Sequence, residues 1–149
     1  MIISTKGRYG VRAMFVLAKR YEQDEPTSIK YIATEQSISE QYLEQLFSKL
    51  KHADLIKSVR GQKGGYSLTK EPNNISIGDI IIALEGPLAP SECVIEDNDS
   101  CENIECCTTR SMWKKIYDGF NTVVNSLSLG DMLEEYRENI KENKQDGRC

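Results

Sequence analysis

Residues 38–69 change hydrophobic period within one short stretch, and that change restricts the fold more than any other feature of the chain. Leu43, Leu46, Phe47 and Leu50 recur at i, i+3, i+4 and i+7, the spacing of one face of an amphipathic helix. Ser39 stands where an N-cap is needed, and Ile38 and Leu43 are placed as a hydrophobic staple across the helix start. Past Leu50 the helical period stops. Residues 55–60 are rich in Ile, Val and Ser, Gly61-Gln62-Lys63-Gly64-Gly65 is a turn, and residues 66–69 alternate again. The sequence therefore predicts a two-stranded hairpin with a cationic, glycine-rich tip.

Helical patterns flank this unit. Met14, Leu17, Ala18 and Tyr21 form an apolar stripe over 7–21, followed by a loop at 23–26. Thr27 or Ser28 can cap a short helix through about residue 35, with Ile29, Ile32 and Ala33 inward, before a polar turn at Gln36 and Ser37. Beyond the hairpin, Ser76 and Asp79 are spaced as a capping box, with Ile75 and Ile80 as a staple, and that helix ends near Gly86-Pro87. Residues 87–107 hold two prolines, four cysteines and six acidic residues but few core-forming side chains, which reads as a loop. From about Thr108 the helical period returns, with Met112, Ile116, Phe120, Val123 and Leu127 on one stripe flanked by Trp113, Tyr117 and Val124. A last helix is expected over 129–141, with a mobile polar tail to Cys149.

The expected architecture is mainly α with a small β-hairpin. A winged helix-turn-helix DNA-binding domain spans 1–86, a cysteine-bearing sensor loop spans 87–107, and a long dimerisation helix with a C-terminal helix and tail spans 108–149. A helix fits the major groove of DNA, so its exposed face can reach base edges. With the four apolar residues inward, Ser39, Gln41, Tyr42, Glu44 and Gln45 remain to contact bases and phosphates. Arg60 and Lys63, flanking a glycine turn, can approach the sugar–phosphate wall or a narrow minor groove. The alternative is a three-helix core with a hairpin that contacts nothing.

Charge bears on this choice. The formal net charge of −4 argues against nucleic acid only as an average. Residues 1–70 carry 12 Lys/Arg against 7 Asp/Glu, whereas residues 71–149 carry 7 against 16. The basic half can attract phosphates while the acidic half faces elsewhere. No apolar run is long enough to span a bilayer, and the first 12 residues lack the apolar core of a secretory signal, so the expectation is a cytoplasmic protein with no membrane partner. With one histidine, no phosphate loop and no paired acid–base carboxylates, an enzyme is not expected.

Three blocks, Ser4-Thr5-Lys6-Gly7-Arg8-Tyr9-Gly10, Tyr42-Leu43-Glu44-Gln45-Leu46-Phe47 and Val59-Arg60-Gly61-Gln62-Lys63-Gly64-Gly65-Tyr66, together resemble the Rrf-type bacterial transcription regulators, the family of IscR, NsrR and CymR. The resemblance extends to about Met132. It implies a homodimer of winged helices, paired through the long helix after the sensing loop, that binds double-stranded operator DNA. It places Ser39, Gln41, Tyr42, Glu44, Gln45 and Arg60 at DNA-contacting positions. Gln41 departs from the smaller residue common in IscR, and Leu84-Glu85-Gly86-Pro87 is more like CymR.

Five cysteines, four of them within 93–107, make a poor disulfide framework for a cytosolic chain and read better as a metal or redox site. Cys93, Cys101 and Cys107 are separated by seven and five residues. The trio resembles that of IscR and NsrR, which implies an iron–sulfur cluster, [2Fe–2S] rather than [4Fe–4S], held by Cys93, Cys101 and Cys107. The first gap is two residues longer than in IscR, and Arg110 occupies the place of IscR's histidine ligand, so the fourth ligand is unassigned. A thiol switch without iron, a zinc site and idle thiols stay open. The functional expectation is a repressor whose DNA binding is tuned by the cluster. Its alternatives are a CymR-like repressor of cysteine metabolism or thiol redox without a cluster, and, further off, an iron–sulfur redox protein.

Overall fold

A computed structural model describes residues 2–95, 101 and 104–146. Six helices and one hairpin follow in the order α1 (Thr5–Lys19), α2 (Ile29–Gln36), α3 (Glu40–His52), β1 (Ile56–Val59), β2 (Gly65–Leu68), α4 (Ile77–Glu85), α5 (Thr108–Ser126) and α6 (Leu129–Asp146). Helix, turn, helix and wing therefore appear in the expected order. None of the described helices is long and apolar enough to cross a membrane.

Local chemistry sets the helix starts. Ser28, Ser39 and Ser76 each accept a backbone N–H three residues on, satisfying one of the donors that a helix N-terminus leaves free. At Ser76 the Asp79 carboxylate returns the bond to the cap's own N–H, completing the capping box. Both staple pairs, Ile38 with Leu43 and Ile75 with Ile80, are buried. Between α2 and α3, Ser37 adopts a left-handed conformation with φ of 54°, and Ile38 N–H returns to Ala33 O at 3.1 Å. This reverses the chain in three residues and aims α3 away from α2.

The core is one cluster. Met14 and Leu17 of α1, Ile32 of α2, Leu43, Leu46, Phe47 and Leu50 of α3, Ile56 and Leu68 of the hairpin, and Ile80 and Leu84 of α4 all pack into it. Leu129 and Leu133 of α6 join the same cluster, so α6 closes the core that the N-terminal helices begin. The corner between α5 and α6 is laced to the start of α4 by Ile77 N–H to Leu127 O at 2.8 Å and Leu129 N–H to Ile75 O at 3.1 Å.

Two boundaries differ from expectation. Tyr21 leaves the apolar stripe of α1 and begins a 3₁₀ turn, Tyr21–Gln23, where its ring is 38 % exposed. α6 continues to Asp146, because a mainly polar helix needs no apolar stripe along its whole length once its first turns are docked. The tail residues 147–149, with Cys149, lie outside the described residues.

Candidate DNA-binding surface and cysteine segment

The face of α3 opposite its buried stripe carries Gln41, Glu44, Gln45, Ser48 and Lys49, all exposed. Ser39 spends one lone pair on Tyr42 N–H at 3.2 Å, which leaves its hydroxyl proton for an outside acceptor. Tyr42 is half-buried. Its ring meets Tyr9 of α1 edge-on at 6.1 Å, and Arg12 sits 5.3 Å over the Tyr9 ring. α1 thus braces the N-terminal end of α3.

β1 and β2 pair antiparallel in the register Ile56↔Leu68, Lys57↔Ser67, Ser58↔Tyr66 and Val59↔Gly65. The tip holds Arg60 and Lys63, both exposed, around a turn closed by Gly64 N–H to Gly61 O at 3.0 Å. Two contacts fix this wing. Phe47 of α3 and Tyr66 of β2 meet edge to face at 4.7 Å. Thr27, just before α2, exchanges both backbone hydrogen bonds with Tyr66 at 2.9 Å. The Thr27 backbone comes so close to Gly65 that a Cβ there would lie 2.3 Å from Thr27 O. Sequence reasoning missed Thr27 as a third, bridging strand position. Its only sequence signal is a β-branched residue after Pro26. The result is a frame in which Tyr66 ties the wing both to α3 and to the start of α2.

The cysteine segment begins at the end of α4. Residues 92–94 form a 3₁₀ turn that buries Val94. Cys93 Sγ lies 3.2 Å from Ser91 Oγ, and the carbonyl of Cys93 accepts Arg110 Nε at 3.1 Å. Cys107 is the N-cap residue of α5, with its Sγ 3.3 Å from Thr109 Oγ1. The Thr109 hydroxyl, then the backbone N–H groups of Arg110 and Thr109, hold the Cys107 thiol below its ordinary range, and the Arg110 charge adds to the effect. Cys93, Cys101, Cys106 and Cys107 are all free thiols, with Cys106 the exposed one.

Among the described residues, Cys93 and Cys107 are linked indirectly, through Arg110. Among the described residues, no group of three or more His, Cys, Asp or Glu side chains stands around a point that could hold a metal ion. Arg110, in the place of a fourth ligand, has no lone pair to give.

α5 packs its Val124 side against α4, where Gly78 lies close to Asn125 and Val124. The other side leaves Met112, Ile116, Val123 and Leu127 between 44 and 58 % exposed. Among the described residues, these four side chains of the apolar stripe are therefore left largely uncovered.

Residues 3–135 match the Rrf2 family, described as an iron-dependent transcriptional regulator. Among curated proteins, the HTH-type transcriptional regulator CymR of Bacillus subtilis is 47 % identical over 132 residues, 89 % of each chain. The solved structure of CymR, the global cysteine regulator of B. subtilis, superposes with a TM-score of 0.74 at 45 % identity, covering 91 % of this chain and 98 % of that one. T. potens IscR superposes with a TM-score of 0.75 at 42 % identity, covering 93 % and 90 %.

Proposed function

Because the chain belongs to the Rrf2 family of transcriptional regulators, we propose that it is a homodimeric repressor of operator DNA whose affinity responds to the thiol state of its cysteine segment. Ser39, Gln41, Tyr42, Glu44 and Gln45 read the major groove, and Arg60 and Lys63 hold the flanking backbone. Two copies joined along α5 would present two such surfaces to a pseudo-palindromic site.

The observation that carries the thiol reading is Cys107 at the head of α5. A partly exposed thiolate is the nucleophile in thiol–disulfide exchange. Its sulfur attacks one sulfur of a small disulfide, the S–S bond breaks, and the small thiolate leaves, with the other half bonded to Cys107. That adduct displaces Thr109 and Arg110, and Arg110 also tethers the turn at Cys93. The similarity to a global cysteine regulator supports the same reading. The test is operator binding by reduced and glutathione-disulfide-treated protein, wild type beside Cys107→Ser. A change in affinity in the wild type that the variant lacks is expected. Equal affinities in all four samples refute thiol control.

The spacing of Cys93, Cys101 and Cys107, together with the family's iron dependence, favours a second reading in which the three thiolates hold a [2Fe–2S] cluster with the fourth ligand unassigned. Binding would have to draw the three sulfurs together, so metal uptake and closure of the segment would be coupled. Anaerobic reconstitution of single Cys→Ser variants, with visible absorption and iron counting, decides it. Loss in the Cys93, Cys101 and Cys107 variants, but not in Cys106 or Cys149, supports this reading. Full iron in all five sinks it.

A further inference from the structure

Helix α4 ends on an acidic residue, which its own dipole disfavours at that end. The explanation lies across the interface with α1. One oxygen of Glu85, Oε1, accepts from Ser4 N–H at 2.9 Å, Ser4 Oγ at 2.9 Å and Gly7 N–H at 3.0 Å. The carboxylate thus takes up donors at the N-terminus of α1, where negative charge is favourable.

Glycines in α1 make the approach possible. A Cβ on Gly7 would stand 2.3 Å from Glu85 Oε1, and one on Gly10 would stand 2.0 Å from Leu84 Cδ1. Leu84 is 1 % exposed in that notch. The last two residues of α4 are therefore keyed into α1. The same two residues reach the recognition helix by two routes. Lys49 Nζ of α3 donates directly to Leu84 O at 3.2 Å. Through α1, Tyr9 meets Tyr42 at the other end of α3. The next residue, Gly86, has φ of +79° and starts the chain toward the cysteines.

We infer that Glu85 is a positioning residue for DNA recognition: it seats α1 on the end of α4, and α1 in turn braces α3 through Tyr9 and Tyr42. This goes beyond the proposed function by naming the mechanical link, and rests on it only for the identity of the ligand, operator DNA.

The test uses the full-length chain and four proteins: wild type, Glu85→Ala, Glu85→Gln and Leu133→Ala. The last removes core packing under α6 and controls for lost stability. Operator affinity is measured well below every melting temperature, so that all four stay folded. Glu85→Ala is expected to weaken binding about tenfold or more, because it strands three donors at once. Glu85→Gln, which keeps an acceptor oxygen, should recover most of that affinity. Leu133→Ala should stay within about twofold of wild type. In the free protein, Glu85→Ala should also speed amide exchange across residues 42–50. The inference is overturned if Glu85→Ala binds like wild type, if Leu133→Ala loses as much, or if exchange in 42–50 is unchanged. Should no form bind operator DNA, the proposed function fails, and exchange in the free protein still decides whether Glu85 braces α3 through α1.

Discussion

Val123 offers the cleanest perturbation of the α5 stripe, because it is 58 % exposed in the single chain and touches the fold least. Burying a whole aliphatic side chain contributes about 1.5–3 kcal/mol, so the exposed half of Val123 is worth about 1 kcal/mol when a second copy covers it. Val123→Asp forfeits that and places a carboxylate in the seam, which costs at least about 2 kcal/mol if nothing pairs with it. A two-fold axis repeats both effects, giving about 6 kcal/mol, or roughly four decades in the dimer dissociation constant. Folding of the single chain should change by less than about 0.5 kcal/mol, since the site is wet there. Sedimentation equilibrium across nanomolar to micromolar concentrations measures the first effect, and circular dichroism confirms the fold. Weaker operator binding should follow, because two linked half-site contacts become one. A Val123→Asp protein that remains a dimer at low micromolar concentration would refute pairing along this stripe. So would a wild type that is monomeric throughout.

The other expected outcomes concern the wing and Cys107. Arg60→Ala should leave the melting temperature unchanged and reduce the slope of log affinity against log salt by about 0.9, one phosphate's worth of released counterions; an unchanged slope removes Arg60 from the interface. Gly65→Ala puts a Cβ 2.3 Å from Thr27 O, so it should cost about 1–3 kcal/mol and weaken operator binding as the wing parts from α2. Thermal melts and binding curves check this, and wild-type behaviour in both would contradict the bridge. The Cys107 thiol is held low chiefly by the Thr109 hydroxyl, so it stays a thiolate to lower pH than an ordinary cysteine. Iodoacetamide labelling of Cys107 in a Cys106→Ser background should fall off at a lower pH than for a free thiol. Thr109→Ala should move that midpoint upward, and identical midpoints would rule out the hydroxyl as the cause.

Much of this molecule follows from local rules. The i, i+4 recurrence of Leu43 and Phe47, the serine caps and the glycine turn at 61–65 each act within a few residues, so they are readable along the chain and reappear in the fold. The exposed face of α3 follows from its buried face by simple geometry. Long-range closure is not local, and no pattern announced it. Leu129 and Leu133 look like the start of a separate C-terminal helix, yet they complete the N-terminal core, because the backbone bonds at Ile75 and Ile77 fold the α5–α6 corner back onto α4. Thr27 reads as a helix cap but serves as a strand partner of Tyr66, 39 positions away in sequence numbering. Cysteine spacing named three sulfurs, whereas the bond from Arg110 to the Cys93 carbonyl, which ties the head of α5 to that turn, is a contact no spacing announces. Glu85 is the sharpest case. Its position is unfavourable for its own helix, and only the donors of Ser4 and Gly7, about eighty residues earlier, explain it. Sequence determines which faces are apolar and where helices begin; the tertiary structure decides which of those faces and ends meet, since that depends on packing the whole chain at once.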